Sequence, residues 1–137
     1  MKTRKFNPML IAFALLALTL GACGKYEYDE RNRFVGRYEV EEYYYYLNTY
    51  SYFNSSIEKS DDYDDEVIIT NFFDTSYDVY GVVEGSKIFI DPQTIGMYTF
   101  EGYGSLSDNT ITINYEVAIA RPSSTIYEDV VAVYLKY

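Results

Sequence analysis

From residue 34 to residue 137, apolar and polar side chains alternate with a period of two, and no stretch shows a convincing period of 3.6. A first strand is expected from Phe34 to about Leu47. Gly36, Tyr38 and Val40 share one face, and Arg37, Glu39 and Glu41 share the other. Glu42 then falls on the apolar side, which predicts a bulge or a strand end near there. The run Tyr43-Tyr44-Tyr45-Tyr46 sends tyrosines to both faces, and Asn48-Thr49 suits a turn into a returning strand over Tyr50–Ile57. Ser60-Asp61-Asp62-Tyr63-Asp64-Asp65 reads as a loop, because repelling carboxylates do not pack in a ladder. Further strands are expected over Glu66–Phe73, Tyr77–Val83, Lys87–Ile90, Tyr98–Leu106, Thr110–Ile119 and Tyr127–Tyr137. Glu84-Gly85 and Ser107-Asp108-Asn109 supply tight turns, and Asp91-Pro92 is expected to stop a strand because proline has no N–H to donate. Gly102 and Gly104 lie on one face with Phe100, a spacing that suits a strongly curved strand. The count is about eight strands at the spacing of an all-β sandwich or barrel. The short consecutive turns favour an antiparallel up-and-down meander. A barrel of that size is either filled by its own side chains or holds one small ligand.

The first 22 residues break this pattern. Lys2, Arg4 and Lys5 precede the uncharged run Met9–Leu20, which has the length of a signal-peptide apolar core and is shorter than the ~20 residues that span a bilayer. Leu20-Gly21-Ala22-Cys23 follows. This tetrad resembles the lipobox of bacterial lipoproteins. The resemblance implies cleavage before Cys23, acylation of its thiol, and anchoring by lipid chains at ~0.8 kcal/mol per buried methylene. The chain then divides into a signal peptide with a signal helix over 1–22, an acylated N-terminus and flexible tether over 23–33, and a β domain over 34–137. Residue 24 is Gly rather than the Asp that resembles an inner-membrane retention signal. Lys25-Tyr26-Glu27-Tyr28-Asp29-Glu30 reads either as a solvated linker or as a segment resembling the export signal of surface lipoproteins.

Composition narrows the chemistry. The 137 residues include 21 acids, 11 bases, no histidine and a single cysteine, for a formal net charge of −10. Residues 1–22 hold three bases and no acid, so the remaining 115 residues carry 21 acids against 8 bases, a net of −13. Such a domain is repelled by anionic membrane surfaces and by nucleic-acid phosphates. The absence of histidine removes Ser-His and Cys-His catalysis and imidazole metal sites. With Cys23 alone, the mature domain has no disulfide and depends on its core. The 18 tyrosines and 8 phenylalanines rule out a disordered acidic tail.

Phe34-Val35-Gly36-Arg37-Tyr38-Glu39-Val40 resembles the opening strand of the small lipocalin-like lipoproteins of the Bacteroidetes group. Val67-Ile68-Ile69-Thr70-Asn71-Phe72, the Gly85–Gln93 segment, Gly102-Tyr103-Gly104 and Asp108–Tyr115 fit the same pattern. Gly36-x-Tyr38 occupies the place of the Gly-x-Trp of true lipocalins, with Tyr in place of Trp. The resemblance covers residues 34–137 and implies a fold and a location, without an agreed activity.

Three groups are candidate sites. Tyr43 and Tyr45, opposite Tyr38 and Val40, are expected to be exposed, and Tyr50 and Tyr52 join them across the hairpin. Rigid amphipathic aromatics of this kind stack on sugars or anchor proteins, although tyrosine is also a common filler of β-surfaces. Asp61, Asp62, Asp64, Asp65 and Glu66 offer oxygens for Ca²⁺ but lack the spacing and glycine of a calcium loop, so a solvated charge run is the better reading. Asp91, Glu101 and Glu116 are the acids from which a glycosidase pair would come, and nothing in the sequence brings two of them together. The resulting expectation is a lipid-anchored, non-enzymatic envelope protein in the outer membrane of a Gram-negative bacterium, on its periplasmic or surface face. It needs no cofactor or metal and binds a small ligand, a glycan or a protein partner, not nucleic acid. The alternatives are an accessory subunit of an outer-membrane complex and, more remotely, a carboxylate-dependent hydrolase.

Overall fold

In the computed structural model, residues 27–137 are described; the predicted signal helix and Cys23 lie outside them. A short 3-10 turn, Glu30–Arg33, leads into eight strands: β1 Gly36–Tyr44, β2 Thr49–Lys59, β3 Glu66–Phe72, β4 Tyr77–Glu84, β5 Lys87–Ile95, β6 Tyr98–Ser107, β7 Thr110–Arg121 and β8 Ser124–Lys136. Each strand pairs antiparallel with the next, and β8 pairs back onto β1 from Tyr38↔Lys136 to Tyr44↔Val130, closing the barrel. Of the two predicted architectures, barrel and sandwich, the chain adopts the barrel, in up-and-down order.

The period-two pattern explains the closure. Tyr38, Val40 and Tyr44 on β1, Ile111, Ile113, Tyr115 and Val117 on β7, and Val130, Ala132 and Tyr134 on β8 all point inward and are buried. Gly102 and Gly104 do turn inward on β6. A Cβ at Gly102 would stand 2.4 Å from the Tyr115 Cβ and 2.5 Å from the Asn114 carbonyl oxygen, so only glycine lets β6 and β7 bend this closely.

Several expectations are corrected. β1 runs through Glu42 with no bulge: the register is continuous from Gly36↔Ile57 to Tyr44↔Thr49, and Glu42 enters the core. β1 also ends at Tyr44, before Leu47, since Tyr45–Asn48 form the turn and Asn48 takes the left-handed φ of 50°. Pro92 does not stop β5. It sits in an irregularity between Ile90 and Gln93, where a missing N–H is tolerated, and pairing with β6 resumes at Gln93↔Phe100. The Gln93 carboxamide repairs the neighbouring seam by accepting from the Tyr80 N–H and donating to the Tyr80 carbonyl, both at 2.8 Å. Among the described residues, packed structure begins at Asp29, within the segment expected to be tether. Asp29 caps the 3-10 turn by accepting from the Arg31 N–H, and Arg31 is buried.

Antiparallel alternation sorts the turns into two ends. The 3-10 turn, the Ser60–Asp65 loop and the β4–β5 and β6–β7 turns share the entry end. The β1–β2, β3–β4, β5–β6 and β7–β8 turns share the distal end.

Candidate functional site

The distal end carries the tyrosines. Tyr43 and Tyr50 are cross-strand partners, with ring centroids 4.9 Å apart. Tyr45 meets Tyr43 edge-on at 4.9 Å, and Tyr52 stacks on Tyr50 at 6.4 Å with 18° between planes. The Tyr43 hydroxyl donates to Asn48 Oδ1 at 2.7 Å and braces the turn. The structure therefore brings all four predicted tyrosines into one continuous cluster. Tyr45, Tyr50 and Tyr52 are 57%, 55% and 69% exposed. Tyr43 is only half-buried rather than fully exposed, because the Tyr45 and Tyr50 rings lie against it. Tyr46, Leu47 and Met97 extend the exposed apolar surface over the same end. They escaped the sequence reading, although an apolar Leu in a turn was a signal for them.

The inside offers less room. At the entry end, Phe34 is fully buried and its carbonyl accepts from the Tyr38 hydroxyl at 2.5 Å. At the distal end Phe73 packs edge-on to Tyr44 at 5.5 Å and to Tyr98 at 5.7 Å, spanning from β1 to β6. Between them Phe72, Phe100 and Tyr115 interlock, with Phe72 4.6 Å from Tyr115 and 5.1 Å from Phe100.

Two acids are buried against this interior: Glu128, whose Oε1 accepts from the Tyr46 N–H at 2.6 Å near the β1–β2 turn, and Glu42 at its centre. Glu42 is fully buried, its Oε2 accepting from the Tyr44 hydroxyl at 2.8 Å and its Oε1 from the Tyr115 hydroxyl at 2.6 Å. Burial pushes its carboxyl up to about 7, with the two tyrosine hydrogen bonds opposing that shift and Asp74 adding to it. The same burial raises Tyr44, Tyr115 and Tyr134. The Tyr134 hydroxyl is buried without a hydrogen-bond partner.

The acidic loop lies at the opposite end, and the remaining acids lie on the barrel wall. Asp61, Asp62, Asp64 and Asp65 are exposed at the entry end and Glu66 is half-buried; among the described residues no group of three or more acids is placed to hold a metal ion. The loop works through its backbone instead: Arg31 Nη1 donates to the carbonyls of Ser60, Tyr63 and Glu66 at 3.1, 2.9 and 3.3 Å. Arg31 is itself held by the Asp29 carboxylate, at 2.9 Å from both Nε and Nη2. Glu101 and Glu116 are brought together, directly opposite each other on β6 and β7, and Glu116 faces Asp129 on β8. With Tyr45 and Tyr103 these acids line an open concavity of about 620 Å³ on the outer wall. Asp91 is exposed on β5 beside the irregularity.

No protein-family model, curated protein or solved structure matches the chain. The site has to be read from its own geometry.

Proposed function

We propose that this chain is a lipid-anchored binding protein of the outer membrane of a Gram-negative bacterium, akin to the small lipocalin-like lipoproteins, and that its distal tyrosine hairpin grips a protein partner. Cys23 is the acylated residue in this reading. The observation that carries it is the continuous ring contact of Tyr43, Tyr45, Tyr50 and Tyr52 at the end opposite the chain's entry. Rigid aromatics in one patch supply contact area at small entropic cost. The six residues Cys23–Tyr28 span at most about 20 Å when extended, which keeps the entry end near the bilayer and turns the hairpin outward. Exposed Asp61, Asp62, Asp64 and Asp65 at the entry end are repelled by anionic headgroups and hold the barrel off the surface.

A wall rather than a lumen is favoured because aromatic side chains fill the interior and Phe73 covers the distal mouth. Binding is favoured over hydrolysis by the placement of the acids. Glu42, the acid whose surroundings hold a proton near neutral pH, is sealed in the core, while Glu101 and Glu116 stand on an open wall.

Two measurements test the reading. Cys23→Ser is expected to abolish acyl labelling and leave the precursor uncleaved. A photo-crosslinking residue in place of Tyr45 or Tyr52 is expected to capture a protein in intact cells, whereas one in place of Glu84 at the entry end is not. A processed, membrane-bound Cys23→Ser protein refutes the anchor. Equal capture from both ends, or from neither, refutes the hairpin as the partner-facing surface.

A further inference from the structure

The barrel is closed, yet one of its seams is open over half its length. β2 pairs with β1 at nine positions, Gly36↔Ile57 to Tyr44↔Thr49, but with β3 at only three, through Ile57, Glu58 and Lys59. Toward the distal end side chains first replace the ladder. The Ser56 N–H donates to Thr70 Oγ1 at 2.9 Å, the Ser55 hydroxyl to the Thr70 carbonyl at 2.6 Å, and Asn71 Nδ2 to the Asn54 carbonyl at 2.9 Å. From Asn54 to Thr49 no residue of β3 pairs with β2.

The cause is local. β3 changes register between Ile69 and Phe72, and Asn71, Phe73, Asp74 and Ser76 all take left-handed φ, from 49° to 62°. The β3–β4 hairpin is thereby turned over the distal mouth, where Phe73 meets Tyr44 and Tyr98, instead of running beside β2.

Alternation then identifies the free groups. The Ser56 N–H and the Asn54 carbonyl face the β3 side, so the N–H and C=O of Tyr52 and Tyr50 face it too, while odd-numbered residues bond to β1. Exposed edges are normally blunted by charge or proline. Here the fifteen residues Tyr43–Ile57 carry neither, the longest uncharged run among the described residues. The edge is instead flanked by the exposed Tyr50 and Tyr52 rings.

The charges around the seam specify what can enter. Glu41 lies opposite Tyr52 and Glu39 opposite Asn54 on the outer face of β1, and exposed Asp74 and Asp78 stand on the β3–β4 side. Arg37, opposite Ser56, marks where this acidic rim stops. A second copy of the chain would set one acidic rim against another. A basic strand would place ammonium or guanidinium groups over the Tyr50 and Tyr52 faces, within reach of Glu41.

We propose that an extended segment of a partner protein, with Lys or Arg at alternate positions, adds to the Tyr50–Tyr52 edge of β2 as an extra strand. Backbone hydrogen bonds to Tyr50 and Tyr52 give affinity, and the aromatic and acidic rim selects the charge. This rests on the reading of the distal hairpin as the partner-facing surface.

The test uses the purified full chain in detergent and a blocked octapeptide alternating lysine and threonine, with its glutamate–threonine counterpart as control. The lysine peptide is expected to slow amide exchange at Tyr50 and Tyr52, and the glutamate peptide to leave it unchanged. Tyr52→Pro removes an N–H that β1 does not use, so it keeps the β1 ladder and should weaken binding about tenfold or more. A lysine peptide N-methylated along its pairing edge should lose binding equally, with the protein untouched. Failure of the lysine peptide to bind, binding without protection of those amides, equal binding of the glutamate peptide, or indifference to both N–H removals overturns the proposal. So does concentration-dependent protection in the free protein, which would mean that a second copy fills the seam. Partner capture in cells through Tyr45 or Tyr52 without edge protection would leave the hairpin surface standing and sink strand addition alone.

Discussion

Replacing Glu42 with glutamine probes the polar centre of the barrel. Glu42 has no exposed surface and faces the hydroxyls of Tyr44 and Tyr115, with Asp74 the other acid that acts on it. Its carboxyl is raised from 4.5 to about 7, chiefly by burial. The folded chain therefore holds a proton that the unfolded chain has released. Stability falls as pH rises from about 4.5 to about 7, and this contribution is constant on either side of that window. At 1.36 kcal/mol per pKa unit the full cost is about 3 kcal/mol above neutrality, a large part of the stability of a small domain. The facing tyrosines do not titrate in this window, since burial raises both Tyr44 and Tyr115 above their ordinary value.

Glutamine keeps the shape and one acceptor, and a tyrosine hydroxyl can rotate to accept from its amide. Urea unfolding followed by tyrosine emission at pH 4, 6 and 8 measures the difference. The stability gap between Glu42→Gln and wild type should move by about 3 kcal/mol in favour of the variant between pH 4 and pH 8. The −13 domain also repels itself as pH rises, but that term is common to both proteins to within one charge. A gap independent of pH would refute the argument that the core holds a proton on Glu42.

Two further substitutions probe the polar groups that hold the barrel. Arg31→Met removes the donors to the Ser60, Tyr63 and Glu66 carbonyls and should cost about 2 kcal/mol in thermal unfolding, with faster amide exchange across Ser60–Glu66; Arg31→Lys should not rescue it, because one ammonium cannot serve those carbonyls and Asp29 together. Tyr134→Phe deletes a buried hydroxyl that has no partner and should be neutral or stabilising by about 1 kcal/mol, whereas Tyr115→Phe, which strips Glu42 Oε1 of its donor, should destabilise by about 1–3 kcal/mol at pH 8.

The strands were legible because one face of each is buried and the side-chain period is two. Ile111, Ile113, Tyr115 and Val117 alternate without interruption, and β7 formed where they lie. The burial of Glu42 was not legible because a charge in phase with Tyr38, Val40 and Tyr44 suggests a bulge or a strand end, while two hydroxyls, one from its own strand and one from β7, make it affordable inside. Tyr115, which supplies one of them, lies 73 residues away, beyond any local pattern. Pro92 was misread for a similar reason: the Gln93 carboxamide stands in for the backbone across the seam, and no propensity records that. The tyrosine hairpin was legible because Tyr43 and Tyr45, and Tyr50 and Tyr52, repeat at period two on both sides of a turn. The open seam beside it was not, because it depends on where β3 stops pairing with β2.

The eighteen tyrosines divide by partner rather than by exposure. Tyr38, Tyr44 and Tyr115 are core residues whose hydroxyls find a carbonyl or Glu42, a use that phenylalanine could not meet. Tyr63, Tyr80, Tyr103 and Tyr127 are exposed and make no aromatic contact among the described residues, as expected of rigid filler on a β-surface. Tyr43, Tyr45, Tyr50 and Tyr52 fit neither group. They are partly or largely exposed, yet ordered against one another, which removes rotamer freedom before any partner arrives. Filler has no need of that order. A binding surface does, because each side chain already immobilised is one that binding does not have to freeze, at about 0.5–1.5 kcal/mol apiece. The cluster also borders the stretch of β2 left without a β3 partner. Preorganised rings and free backbone groups thus converge on Tyr50 and Tyr52, where strand addition would use both at once.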